Sequence, residues 1–297
     1  MKIQIFLTNY ILLEQGQPLH AFDKDKLSNL IGKEVSPEDF SVRKGMDNES
    51  LICLDGKEYD LNENITVISC CDKPVAIAGV IGGLETSVTN TTSSIYLEGA
   101  VFNPVTIRKS SKAVGIRTES SSRYEKGISS KNTISAVTRA INLLEEYFSV
   151  MTSIVFANKG IVDKYMGDGI MAFFENPPDG VTSAQAAIKS AVAMQEKAGE
   201  LDEKYKVQNR FPFSVYVGIA TGYAKVGNIG PPEKVDYTVI GSVVNKASRL
   251  DGPGEPGDIL MDEDTYFFVK DDYDIEDFGS HELKGFEKPV QIFKLKK

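Results

Sequence analysis

Along NTISAVTRAINLLEEYFSVMTSIVF, the apolar residues Ile134, Val137, Ile141, Leu144, Phe148, Met151 and Val155 recur at spacings of three and four. That period predicts one continuous amphipathic helix over residues 133–156. No Gly, Pro or Ser-rich linker interrupts it. Before it the pattern is β-rich. MKIQIFLTNYILL reads as a strand, and SLICLDGKEYDL as a hairpin turning at Asp55-Gly56. ITVISC and SSIYLEGAVF read as further strands, and KPVAIAGVIGG as an apolar run ending in glycines. Gly79, Gly82 and Gly83 there imply close backbone approach, to a neighbouring strand or to a ligand. After the helix, Gly167-Asp168-Gly169 sits between two apolar stretches as a hairpin turn. Val181–Tyr205 reads as a second long helix, FPFSVYVGIATG as a strand running into a glycine turn, and YAKVGNIGPPEKVDYTVIG as a loop-rich excursion. SVVNKASRLDG is a helix that can stop at Gly252. DILMDEDTY, DIEDFG and PVQIFKL supply the last strands with a short helix. Strands interleaved with two long helices predict an α+β fold.

A chain of 297 residues accommodates two domains. Charge is uneven: residues 1–142 hold 16 Lys+Arg against 17 Asp+Glu, and the remainder 17 against 25. Neither half is a basic nucleic-acid surface in bulk, so any RNA contact is local. Arg108, Lys109, Lys112, Arg117, Arg123 and Lys126 form the one candidate cluster, with a merely solvated basic face as the alternative. Cys53, Cys70 and Cys71 are an odd set without metal spacing, which suits reduced thiols in the cytoplasm. No cleavable leader follows the first residues. No apolar run approaches the ~20 residues of a membrane span, so no membrane partner is expected.

Polar groups interrupt the apolar pattern at Thr8-Asn9, at His20 and at Glu98. Such residues are more often satisfied structural groups than reactive ones. TNYILLEQGQPLHAFD and AIAGVIGGLETSVTNTTSSIYLEGAVFNPVTIRKSSKAVGIRTESSSRYEKGIS resemble, over residues 8–142, the editing domain of the bacterial phenylalanyl-tRNA synthetase β subunit. The resemblance implies a domain over residues 1–142 that hydrolyses tyrosine wrongly attached to phenylalanine tRNA. Asn9, His20 and Glu98 would line its pocket, Gly82 and Ser120 would shape the walls, and Thr8 would lie beside it. tRNA is then the partner. The chain has no motifs for amino-acid activation and no anticodon-binding region, so ligase activity is not expected.

VDKYMGDGIMAFF, VGIATGYAKVGNIG, DYTVIGSVVNKASRLDG and ELKGFEKPVQIFKL resemble the catalytic domain of class III adenylate/guanylate cyclases, over residues 143–297. The resemblance implies a ferredoxin-like fold, ATP as substrate, and a head-to-tail homodimer with the active site across the interface. Lys164 and Thr238 would read the adenine edge. Asn245 would orient the ribose, Arg249 would stabilise the transferring phosphate, and Lys284 would hold the triphosphate. Asp168 would be one of two carboxylates binding Mg²⁺ or Mn²⁺. Asn245 and Arg249 are four apart, so one helix face presents both.

The family's first strand, Asp-Ile-x-Gly-Phe-Thr with the other metal-binding Asp, has no counterpart in this sequence. The expectation is a truncated cyclase domain with a single weak metal carboxylate, an unpaired sheet edge and little or no turnover. It is joined through a shared helix to a β-rich editing-type domain. Two readings stay beside this one: a non-catalytic protein binding nucleotide or tRNA, and a recombined product without activity.

Overall fold

The computed structural model describes residues 3–89, 92, 94–167, 169–175, 182–205, 213–231, 235–250 and 252–296. Two compact units divide within one helix: Lys2–Glu145 in one, Glu146–Tyr165 with Gly169–Lys297 in the other.

The N-terminal unit runs α1 (Ile3–Gln15), β1 (Leu19–Asp23), α2 (Lys24–Ile31), β2 (Phe40–Lys44), β3 (Ser50–Ile52), β4 (Glu58–Asp60), β5 (Thr66–Cys70), β6 (Lys73–Ile77), β7 (Ile81–Gly82), β8 (Ile95–Gly99), α3 (Pro104–Val114) and α4 (Glu119–Tyr124), and enters α5 (Ser130–Ala157). The strand expected at residues 1–13 is, over the described residues from Ile3, a helix. Leu7, Tyr10 and Ile11 are buried at helical spacing. Gly16, at φ 72°, ends the helix by donating its N–H to the Leu12 carbonyl.

Strands β2-β5-β6-β7 form one antiparallel sheet, β1 pairs with β8, and β3 pairs with β4 about the predicted Asp55-Gly56 turn. Alternation along β5 and β6 feeds two cores. Val67 and Ile77, opposite each other, join Leu51, Ile65, Ile107 and Tyr124 on one face. Ile68 and Ala76 join Phe22, Leu27 and Val35 on the other. A strand covered on both faces reads as a continuous apolar run, as ITVISC does. All three cysteines are free. Burial pushes the Cys53 and Cys70 thiols up to about 12 and about 11.

The predicted long helix is α5, 28 residues without a break. The predicted stripe holds in its second half, where Met151 and Val155 are buried, and fails in its first. Ile134 and Ile141 are exposed, whereas Ala136, Ala140 and Leu143 are buried in the N-terminal unit, and Tyr147, Met151 and Val155 in the C-terminal one. A Cβ added at Gly99 would lie 2.5 Å from Val137 Cγ2, so the backbone of β8 lies close against the helix at Val137. By length and composition α5 is also apolar enough to cross a membrane. Yet Glu145 and Glu146 stand in its middle, and Glu146 pairs with Lys204 at 2.5 Å.

The C-terminal unit continues with β9 (Ile161–Met166), β10 (Gly169–Phe173), α6 (Ser183–Lys204), β11 (Val217–Ile219), β12 (Lys225–Ile229), β13 (Asp236–Ile240), α7 (Ser242–Leu250), β14 (Ile259–Asp262), α8 (Glu263–Val269), β15 (Ile275–His281) and β16 (Val290–Leu295). Its main sheet has the order β11-β14-β16-β15, with β11 parallel to β14 and the other pairs antiparallel. Ile259 and Met261 pack with Ile188, Ala191 and Val269 on one face, and Leu260 with Leu250, Leu283 and Ile292 on the other. The stretch expected as a loop is in fact the antiparallel hairpin β12–β13. Strands β9 and β10 pair only with each other among the described strands, and β11 ends its sheet with β14 as sole neighbour. Among the described strands, β11 therefore has one unpaired edge.

Candidate functional sites

In the N-terminal unit the antiparallel β1–β8 ladder sets His20 directly opposite Glu98. Directly opposed residues share a face of the ladder. The His20 ring stands edge-on to Phe22 at 4.6 Å. Its Nε2 is sealed from solvent and has no hydrogen-bond partner among the described residues. Burial lowers the imidazole to about 4, so the ring is neutral at pH 7. Burial also raises the Glu98 carboxyl to about 7. Gly82, on β7, completes the site by what it lacks: a Cβ there would lie 2.4 Å from His20 Cε1 and 2.6 Å from Nε2.

Sequence reasoning thus located three groups that the fold brings together. Thr8 and Asn9 lie on α1, half-buried, not on a strand. No described hydrogen bond joins Asn9 to His20 or Glu98. Ser120 is half-buried in the first turn of α4, whose cap Thr118 donates to the Val80 carbonyl at 2.9 Å. That bond ties α4 to the segment leading into β7.

Two supporting residues were not predicted. Gln17 is fully buried and donates to the Pro18 and Ala100 carbonyls, each at 3.0 Å, while accepting from Thr133 at 3.0 Å. Tyr124 donates to the Ala100 carbonyl at 3.2 Å. Together they fix the start of β1 to the end of β8, which sets the His20–Glu98 register. A Gln-Pro pair just after a helix-ending glycine was the available signal. Of the basic cluster, Arg108, Lys109 and Lys112 are exposed on α3, and Arg117 and Lys126 are exposed nearby.

In the C-terminal unit, β9 and β13 bring Lys164 Nζ to 3.2 Å from Thr238 Oγ1. Thr238 in turn donates to Asp163 Oδ2 at 3.0 Å, and Lys164 Nζ stands 3.4 Å from the same oxygen. Helix α7 carries Asn245, exposed, and Arg249, half-buried. Between them Lys246 reaches inward to Asp262 at 2.7 Å, anchoring the helix to the end of β14. Lys284 is exposed in the turn between β15 and β16. No described hydrogen bond links Asn245, Arg249 or Lys284 to the Lys164–Thr238 pair.

Asp168, the expected metal carboxylate, lies outside the described residues. Among the described residues no three His, Cys, Asp or Glu side chains gather as a metal-binding group.

Residues 125–297 match the family described as the adenylate and guanylate cyclase catalytic domain. The chain belongs to that family. In solved structures, the adenylyl cyclase CyaB from P. aeruginosa shares 32% identity and a TM-score of 0.51, covering 59% of this chain and 88% of that one. Residues 5–149 match the B3/4 domain. The phenylalanine–tRNA ligase β subunit of Prochlorococcus marinus strain MIT 9312 is 85% identical over 155 residues, 52% of this chain and 19% of that protein. The same subunit from strain NATL2A is 55% identical over 138 residues, 46% of this chain and 17% of that protein. The chain therefore spans about a fifth of the length of these curated relatives. It is a fusion of a B3/4 domain, of the phenylalanyl-tRNA synthetase β type, with a cyclase domain. The two matched regions overlap at residues 125–149, most of which lie in α5.

Proposed function

We propose that the N-terminal unit removes tyrosine misattached to tRNA, and that the C-terminal unit binds ATP in a cyclase-type site with little or no turnover. The observation that carries the first part is His20 set opposite Glu98 beneath a glycine that only a missing side chain leaves room for. A carboxyl raised to about 7 is partly ionised at neutral pH and accepts a hydrogen bond from a phenolic hydroxyl. Phenylalanine offers no such donor and leaves the desolvated carboxyl unpaired. That asymmetry discriminates far better than an apolar pocket could. Neutral His20, its Nε2 without a partner among the described residues, can hold the ester end or a water. No Ser/His/Asp nucleophilic set is assembled here among the described residues. Hydrolysis then depends on holding water and ester together. The exposed lysines and arginine of α3 suit contact with the RNA backbone.

Deacylation of tyrosyl-tRNA bearing the phenylalanine anticodon tests this. The chain is expected to hydrolyse it and to spare phenylalanyl-tRNA. Gly82→Ala, which drives a methyl into the His20 ring, is expected to lower the rate by about 10². Equal rates for the chain and the variant would sink the assignment.

For the C-terminal unit, the Lys164–Thr238 contact supports an adenine-reading edge, and the open edge of β11 supports impaired cyclisation. With ATP and Mn²⁺, the chain is expected to form no more cyclic AMP than Asp168→Ala does. Production that Asp168→Ala abolishes would show a working cyclase and overturn the second part.

A further inference from the structure

Asp163, Lys164 and Thr238 form a closed triangle of 3.0, 3.2 and 3.4 Å. Each corner has a fixed hydrogen-bonding character. A lysine ammonium only donates, an ionised carboxylate only accepts, and a threonine hydroxyl has one proton and two lone pairs. Lys164 therefore occupies one lone pair of Thr238, and Asp163 takes its single proton. What remains of Thr238 is one lone pair and no proton. Asp163 is not placed for its own sake. Its side chain is 1% exposed, and Oδ1 is buried with no partner among the described residues. An unmatched buried oxygen is a cost to the fold.

We propose that Asp163 sets the polarity of Thr238 and thereby selects an amino group over a carbonyl at position 6 of a purine. The inference rests on the nucleotide reading of this site given above. Adenine offers an N6 amino donor and an N1 acceptor on adjacent positions of one edge. A Thr238 lone pair suits the first, and a remaining Lys164 N–H suits the second. Guanine inverts both, with a carbonyl at position 6 and an N–H at N1. Without Asp163 the threonine hydroxyl could rotate and donate, and it would accept either base. In this scheme Lys164 and Thr238 touch the base, and Asp163 is a positioning residue.

Displacement of N-methylanthraniloyl-ATP from the full chain by unlabelled ATP and GTP, with Mn²⁺ present, tests it. The parent is expected to prefer ATP. Asp163→Asn keeps the shape but donates its amide N–H to Thr238, which turns the hydroxyl proton outward. The ATP-over-GTP ratio is expected to fall about tenfold. Thr238→Val is expected to lose the same preference, and Asp163→Asn added to it should change the ratio no further. A role in stability alone would weaken both nucleotides equally and leave the ratio unmoved, which overturns the proposal. If Asp163→Asn fails to fold, an unchanged ratio in Thr238→Val overturns it equally. A parent that binds neither nucleotide removes the site reading itself and this inference with it. ATP binding with an unmoved ratio removes only the inference.

Discussion

Replacing Asp262 by alanine is expected to cost the C-terminal unit about 3–5 kcal/mol, the toll of leaving one partner of a buried ion pair behind. Asp262 is 1% exposed. Its Oδ2 accepts from Lys246 at 2.7 Å. Its Oδ1 accepts from the Thr265 N–H at 3.0 Å, the Thr265 hydroxyl at 2.7 Å and the Thr221 N–H at 3.2 Å. The residue thus ends β14, caps α8 and holds the loop after β11. It also fixes the turn of α7 that carries Asn245 and Arg249. Burial pulls the Lys246 ammonium down, but the bond and charge of Asp262 hold it above its ordinary value, with Asp264 adding to the pull. Removing Asp262 strands that ammonium. Urea unfolding read by circular dichroism measures the loss, and a change under about 1 kcal/mol would contradict the network's role.

Glu98→Gln is expected to stabilise the N-terminal unit in alkaline solution and to do nothing in acid. The sign follows from the raised carboxyl. Glu98 holds its proton in the folded chain up to about pH 7, but only up to the ordinary 4.5 when unfolded. Folding therefore keeps a proton between those values, and stability is lost as pH rises through them. Above pH 7 the whole penalty is present, about 3 kcal/mol at most. Glutamine carries no such charge, so the variant should exceed the parent by that amount at pH 8 and match it near pH 4.5. His20 works in the opposite sense. Its lowered value means the folded chain binds fewer protons between about 4 and 6.5, so its contribution is lost as pH falls through that window. The two slopes offset each other in the parent between 4.5 and 6.5, and Glu98→Gln should unmask the histidine's acid sensitivity. A variant whose advantage is the same at both pH values would refute the burial of Glu98.

The sequence showed which residues cluster better than it showed how they are presented. His20, Glu98 and Gly82 stood out as polar or side-chain-free positions in apolar surroundings, but the pairing of β1 with β8 that sets His20 opposite Glu98 was not legible in the sequence. Helix α1 was misread because its β-branched and aromatic residues favour strand locally. The Gly16 stop and the chain Tyr10–Glu14–Arg139, which spans the unit, override that preference. In α5 the period was right, and the face was right at Met151 and Val155 but wrong in the first half, where Ala136 and Ala140 are buried though they carry little apolar weight. Hairpin β12–β13 was hidden by its glycines and prolines. Asp163 was invisible for a different reason. Alternation along a strand puts it and Lys164 on opposite faces, and only the reach of a lysine brings the ammonium back to the carboxylate.

Helix α5 leaves no place for a knife. Its first thirteen residues, 130–142, and its last fifteen, 143–157, are each close to the ~12–15 residues below which a lone helix is marginal in water. A boundary drawn at 142/143 would leave each fragment with a raw, half-length terminus and would part Leu143, buried in the whole chain, from the unit that buries it. Anyone dissecting this protein therefore has to give the same 28 residues to both pieces, duplicating the helix where the chain itself uses it once.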